Sequence, residues 1–198
     1  CYRIMWISWN DLPDSMKNEQ VRPYYEKLKV KRGSLIVKRG FDILVSLVML
    51  ILLSWLFLIL AVAIKLDSRG PVFYRQVRVT TGNRDFRIFK FRTMVNNADK
   101  IGSLVTTGND ARITRVGARI RKCRLDEIPQ LLNILKGEMS FVGTRPEVRK
   151  YVDRYSDEMM ATLLMPAGVT SLASISFKDE DELIDEYTMK GMSVDDAY

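Results

Sequence analysis

Histidine is absent from this chain of 198 residues. That excludes a Ser-His-Asp triad, a Cys-His pair, a histidine general base and a zinc-protease helix within it. Cysteine is nearly absent as well, with only Cys1 and Cys123. Two thiols cannot build a disulfide-rich secreted scaffold, and without histidine they cannot complete a structural zinc site. One of them is the first residue, so both are read as reduced thiols in a cytosolic setting. Chemistry must therefore come from carboxylates, Lys, Arg, hydroxyls or a thiol. The metal that suits such groups is a hard, oxygen-bound cation such as Mg²⁺. Disorder is excluded by a chain that is 47% hydrophobic and 10% aromatic.

Charge is plentiful and unevenly placed. Residues 1–40 carry nine bases and four acids, residues 67–150 eighteen and eight, and residues 178–198 two and eight. The basic field attracts anions: nucleic acid, acidic lipid headgroups or phosphate-bearing small molecules. The chain does not begin with Met and ends at Tyr198 inside an acidic amphipathic stretch, as a fragment would.

Between the two basic regions, Ile43 to Ile64 form 22 consecutive uncharged and mostly apolar residues. As a helix they reach ~33 Å, enough for a bilayer core. The run starts too late and is too long for a secretory signal, and it has no polar face to suit a buried core helix. Lys27, Lys29, Lys31, Arg32, Lys38 and Arg39 precede it; Lys65, Arg69, Arg75 and Arg78 follow. Basic flanks on both sides fit a helix pair that turns back, although the residues alone leave a span open. The turn would fall at Ser54-Trp55. There the Ser54 hydroxyl and the Trp55 indole N–H are expected to serve freed backbone groups.

Beyond Pro71, VFYRQVRV and DFRIFKFR read as a hairpin closed by TGN. Its many cations exceed what a purely structural hairpin needs. Residues 95–110 read as loop or irregular helix. ITRVGARIRKC reads as a basic helix. Leu125, Ile128, Leu131, Leu132 and Leu135 then recur at helical spacing, with Asp126 and Pro129 suited to the start and Gly137 to the end. Pro146 to about Leu164, and Glu180 to about Met189, are expected to be helices.

Asp126 and Glu127 are adjacent acids in the most basic part of the chain. First-turn acids are ordinary helix-dipole partners. In a chain without histidine, however, a carboxylate among phosphate-attracting cations is also the best available nucleophile. It would form an acyl-phosphate, with Mg²⁺ neutralising phosphate charge. SFVGTRPE, residues 140–147, adds Gly143 for a close approach, Arg145 as a planar phosphate fork and Pro146 as the expected start of a helix. FKFRTM, residues 89–94, adds Lys90 and Arg92 beside aromatics.

In this order, KRGFDI, the apolar run, VFYRQVRV, FKFRTM, RITRVGARIRK, LDEIPQLLNILKGEMSFVGTRPE and PAGVTS closely resemble the bacterial sugar transferase family. Its small monotopic members are polyprenyl-phosphate phosphoglycosyl transferases. The resemblance implies transfer of a sugar-1-phosphate from a UDP-sugar to undecaprenyl phosphate on the cytosolic face of the bacterial inner membrane. Such transfer starts O-antigen, capsule, exopolysaccharide or glycoprotein glycan assembly. It implies Asp126 as the nucleophile and Mg²⁺ neighbour, and Glu127 as its supporting acid. It implies Arg121 and Arg145 as phosphate contacts, Lys90 as a further site residue, and a re-entrant apolar helix. Three motifs depart from the family: its Ser-Pro kink is Ser54-Trp55 here, its Pro-Arg-Pro is Thr144-Arg145-Pro146, and its Pro-Gly-Ile-Thr-Gly is Pro166-Ala167-Gly168-Val169-Thr170-Ser171. The last of these bears on the sugar pocket and thus on the donor.

The expected architecture is α+β and predominantly helical: a re-entrant membrane helix, a small β-hairpin, and several partly amphipathic helices at the membrane surface. Residues 1–37 are read as a basic N-terminal extension, 38–66 as the membrane segment and 67–198 as the catalytic domain. The expected partners are a UDP-sugar, undecaprenyl phosphate and membrane lipid, and not nucleic acid; the oligomeric state is left open. The competing reading is a membrane-anchored basic adaptor that binds anionic lipid or nucleic acid without catalysis. The Asp-Glu pair separates the two, because an adaptor has no use for carboxylates inside its basic patch.

Overall fold

The computed structural model describes residues 6–98, 110–172 and 175. The expected helix at 180–189, and residues 99–109 of the expected loop, lie outside these. Among the described residues the architecture is mixed, with helix exceeding strand and each sheet two strands wide.

The chain opens with 3₁₀ turns at Trp9–Asp11 and Asp14–Met16, then helix α1 (Arg22–Val30) and, one residue later, α2 (Arg32–Leu52). Leu12, Met16, Val21 and Tyr25 share a core with Val79, Val152, Leu163 and Leu164. Through these four residues the described part of the N-terminal segment packs into the body of the fold.

α2 and α3 (Ser54–Asp67) carry the apolar run. Among the described residues no single helix is long and apolar enough to cross a membrane; the pair together is, and it bends by 62°. The bend falls at Leu53, between the two helices and next to the expected Ser54. Ser54 Oγ donates to the Ile51 carbonyl at 2.8 Å, as its position predicted. Trp55 takes no such role: its ring is turned outward and 62% exposed. Across the bend the ladder persists, with Leu53 N donating to Met49 O and Phe57 N to Leu53 O, each at 2.9 Å. The bend is thus made without proline and costs few backbone hydrogen bonds.

The hairpin forms as expected, in two segments. β1 (Phe73–Tyr74) pairs with β4 (Lys90–Phe91), and β2 (Val77–Thr80) with β3 (Arg84–Arg87), around a turn at Thr81–Asn83. Its cations are largely absorbed by the fold. Arg75 lies 3.7 Å from the Phe89 ring centre, and Arg78 donates to the Pro146 carbonyl at 3.0 Å.

α4 (Arg115–Lys122), a 3₁₀ turn at Leu125–Glu127 and α5 (Gln130–Lys136) follow, and Gly137 ends α5 in the left-handed conformation at φ 78°. Two features of the next stretch differ from the sequence reading. Met139–Val142 is a strand, β5, paired in parallel with β6 (Ala167–Thr170). The expected Pro146–Leu164 helix is only α6 (Arg149–Val152) and a 3₁₀ segment at Met159–Leu164. The cause of the second lies in β2: Val79 N donates to Glu147 O at 2.9 Å, so residues 146–148 run beside the hairpin, and Val148 is extended. Pro146 therefore does not open a helix, and the anion-binding helix terminus expected there does not exist.

Candidate active site

The adjacent acids sit on a turn built by three local devices. Thr114 caps α4, its Oγ1 accepting from Gly117 N at 3.0 Å. Arg124 then takes left-handed geometry, φ 55° and ψ 21°, reversing the chain after α4. Leu125–Glu127 follow as one 3₁₀ turn leading into Pro129 and α5. Apolar neighbours pin the turn on both sides. Leu125 packs into the cluster of Leu60, Ile64, Phe91 and Ile120; Ile128 packs into that of Phe86, Leu131, Ile134 and Met139, which also takes in Leu50 and Leu53.

Lys90 comes from β4, and its Nζ lies 2.8 Å from Glu127 Oε1. Asp126 is partly buried, and burial pushes its carboxyl above the usual carboxylate range; the Glu127 charge adds to this, while Lys90 and Arg121 oppose it. The structure thus assembles four of the five expected residues, Lys90, Arg121, Asp126 and Glu127, from β4, the last turn of α4 and the 3₁₀ turn. The fifth, Arg145, lies on the loop after β5, where its Nε is 3.3 Å from Glu147 Oε1. That loop is positioned by β6. Gly168 N donates to Thr144 O at 2.7 Å and Gly143 N to Thr170 O at 3.1 Å. The strands approach so closely that a Cβ on Gly143 would stand 2.2 Å from Pro166 O. The PAGVTS motif therefore has a visible structural duty: it holds the Arg145 loop.

Among the described residues no group of three or more acids, cysteines or histidines is placed to hold a metal. Asp126 and Glu127 offer hard carboxylate oxygens, and Lys90 already engages one of Glu127's. That donor set fits a cation that keeps several waters and takes its remaining ligands from substrate phosphates, which is how Mg²⁺ binds.

Residues beyond the five expected ones also hold the site together, Arg92 of the FKFRTM motif among them. Arg92 is buried, 5% exposed, and its guanidinium donates to Arg69 O at 2.6 Å and Ser68 O at 2.7 Å, just past the end of α3. Asp67 Oδ2 accepts from Val116 N at 3.0 Å, in the first turn of α4. α3 is thereby fastened to the helix that carries Arg121. On the other side, Arg39 donates to the Ile134 and Leu135 carbonyls at 2.6 and 3.0 Å near the end of α5. Asp42, 1% exposed, accepts from Ser140 Oγ at 2.7 Å, with Lys38 bonded to both. Asn133, fully buried, donates to Arg87 O and accepts from Phe89 N. For Asp42 and Asn133 the signal was a polar residue set beside or within an apolar run.

The family model for bacterial sugar transferases matches residues 33–198. The chain belongs to the bacterial sugar transferase family. It is 51% identical over 142 residues to the UDP-N-acetylgalactosamine-undecaprenyl-phosphate N-acetylgalactosaminephosphotransferase of Aeromonas hydrophila, covering 70% of this chain and 34% of that one. It is 40% identical over 171 residues to the undecaprenyl-phosphate glucose phosphotransferase of Komagataeibacter xylinus, covering 83% and 31%. A shorter relative, the exopolysaccharide production protein ExoY of Sinorhizobium fredii, is 37% identical over 160 residues, covering 73% and 71%. The chain thus spans about a third of the first two relatives and most of the family's shorter form.

Proposed function

We propose that this bacterial sugar transferase moves a sugar-1-phosphate from a UDP-sugar to undecaprenyl phosphate and so starts a membrane-bound glycan. The observation that carries the reading is the Asp126–Glu127 turn, set between Arg121 and Lys90 in a family whose named members are undecaprenyl-phosphate sugar phosphotransferases. The adaptor alternative accounts for the cations and leaves the two acids unexplained.

In this mechanism a carboxylate oxygen of Asp126 attacks the sugar-bearing phosphorus. The bond to the bridging oxygen breaks, and UMP leaves with the electron pair. A phosphate oxygen of the lipid then attacks the same phosphorus, and the Asp126 carboxylate departs. Lys90 holds Glu127 beside Asp126, and Arg121 and Arg145 offer donors to phosphate oxygens. Mg²⁺, held through Asp126, would neutralise charge on the diphosphate. The direct test is UMP release from a panel of UDP-sugars, led by UDP-N-acetylgalactosamine, with and without lipid phosphate. Release from none of them would refute the reading. Activity should vanish with excess chelator and return with added Mg²⁺; full activity in chelator would remove the metal from the scheme.

A charge-assisted phosphate contact contributes ~1.5–3 kcal/mol, roughly ten- to hundredfold in rate. Arg145→Ala should therefore lower kcat/KM by that factor. A loss below twofold would show that the β5–α6 loop does not meet the substrate.

The bent pair is read as re-entrant, so that both basic flanks stay beside the anionic cytosolic leaflet of the inner membrane. Asn10→Cys and Arg154→Cys, each in a background lacking Cys1 and Cys123, test this in intact cells. Both sites should resist a membrane-impermeant thiol reagent and react in inverted vesicles. Labelling of the Asn10 site alone in intact cells would mean a span.

A further inference from the structure

A cleft of about 860 Å³ is lined by residues 6–32, which the family model does not cover. One wall is α1: Arg22, Tyr25, Glu26 and Lys29 recur at i, i+3, i+4 and i+7, and so share a face, with Arg32 following at the first residue of α2. The opposite wall is Trp6, Ser8, Trp9, Asn10 and Asp11. Its aromatic floor is fixed. Trp6 and Trp9 lie 4.9 and 5.1 Å from the Tyr25 ring, and the Tyr25 hydroxyl accepts from Trp9 N at 2.9 Å. Arg22 and Arg32 stack over Trp9 and Trp6, at 5.2 and 5.8 Å. Stacked guanidinium groups are oriented without losing their charge or their in-plane donors.

We propose that this cleft binds the headgroup of an acidic phospholipid, its phosphodiester meeting Arg22, Lys29 and Arg32. The placement argument rests on the membrane reading of the α2–α3 pair given above. Ile36 and Val37, one turn beyond Arg32, are 62% and 74% exposed and begin the outward apolar face. With that face in hydrocarbon, Arg32 and the cleft beside it stand at headgroup depth, where Trp and Tyr rings also partition. Ser8, Asn10 and Asp11 supply partners for headgroup hydroxyls, which favours a polyhydroxylated acidic headgroup such as glycerol over choline. The relevant chemistry, a phosphate monoanion, is shared by free phosphate compounds, so the test separates the two sources.

The test uses the full chain carrying Trp55→Phe, so that only Trp6 and Trp9 fluoresce. Delipidated protein in a neutral detergent is titrated with dihexanoyl phosphatidylglycerol, dihexanoyl phosphatidylcholine and inorganic phosphate. A saturable fluorescence change is expected with phosphatidylglycerol, at least tenfold weaker with the other two. Arg22→Gln with Arg32→Gln should weaken it tenfold or more. Because those arginines also support the aromatic floor, Lys29→Gln provides a gentler variant, removing only an exposed pair with Glu26; it should weaken binding severalfold. Lys27→Gln with Lys31→Gln changes the charge equally off the cleft and should stay within twofold. Equal response to phosphatidylcholine, equal response to inorganic phosphate, or equal loss in the Lys27/Lys31 control would each overturn the proposal. Flotation with neutral vesicles tests the membrane reading separately, and UMP release the chemistry. Failure of either is distinguishable from failure of the cleft.

Discussion

Asp126→Asn is expected to abolish turnover, by about 10⁴-fold or more as for other lost covalent nucleophiles, while the protein remains folded. The amide presents no anionic oxygen to phosphorus, so UMP release should disappear together with lipid-linked product. A defect confined to acceptor binding would leave the UMP step intact, and that split is what the assay reads. Burial of Asp126 also sets the expected sign of the stability change. Burial raises the folded-state pKa of Asp126. Such an acid favours folding only while protonated, and that contribution is lost as pH rises through the raised pKa. At neutral pH the ionised carboxylate therefore weighs against folding, and a neutral amide of the same shape removes that burden. The midpoint of thermal unfolding should stay level or rise slightly. An Asn variant with near-normal UMP release would end the covalent scheme; one that fails to fold would mean that the turn depends on the carboxylate.

Much of this site was legible in the chain because the signals are local. The dyad is adjacent in sequence, the basic helix precedes it, and Gly137 closes the helix after it. Lys90 could be named from its motif; only the fold shows that β4 brings it to Glu127. What escaped is long-range. β5 and β6 are each four residues, separated by 24 others, with glycines where alternation would be read. Parallel pairing of that kind leaves almost no period-two signal. Pro146 looked like a helix start because proline at N1 is favourable, but tertiary hydrogen bonds from Val79 and Arg78 take the carbonyls of residues 146 and 147 and keep the segment extended. The charge of the N-terminal segment is its plainest sequence feature, and its packing residues, Leu12, Met16, Val21 and Tyr25, are too sparsely spaced to announce a core.

The polar residues in and beside the apolar pair explain how a bent helix can hold the candidate site steady. Two fastenings act on opposite arms of the bend. Asp67 ties the end of α3 to α4, which leads to Arg121 and the dyad, and Arg92 ties the residues just past α3 to the end of β4, which carries Lys90. Arg39 and Asp42 tie the middle of α2 to α5 and β5, which lead from the dyad to the Arg145 loop. The 62° bend at Leu53 lies between them. Relative motion of the two arms would therefore be felt as a change in spacing between the dyad and the arginines proposed to meet phosphate.

The second large effect is expected at Asp42, and it is structural in origin. Its carboxylate is 1% exposed and accepts from Ser140 Oγ at 2.7 Å and Phe141 N at 3.5 Å, with Lys38 Nζ 3.3 Å away. Ser140 is itself completely buried. Asp42→Ala leaves the Ser140 hydroxyl and the Lys38 ammonium without their shared acceptor. An unsatisfied buried donor costs ~1–3 kcal/mol, and breaking a buried ion pair ~3–5 kcal/mol. Lys38 keeps partial access to water, which places the expected loss near the lower end, about 3 kcal/mol. For a domain of this size that is a fall of roughly 6–12 °C in the unfolding midpoint, measurable by thermal unfolding in detergent. Asp42→Asn retains an acceptor for Ser140 and should lose only about a third as much. Asp42→Ala in combination with Ser140→Ala should cost less than the sum of the single changes, because the second removes the orphaned hydroxyl that the first creates. Strict additivity, or a midpoint within 2 °C of the parent for Asp42→Ala alone, would mean that α2 is held to β5 by its apolar contacts and that the buried carboxylate is not the fastening.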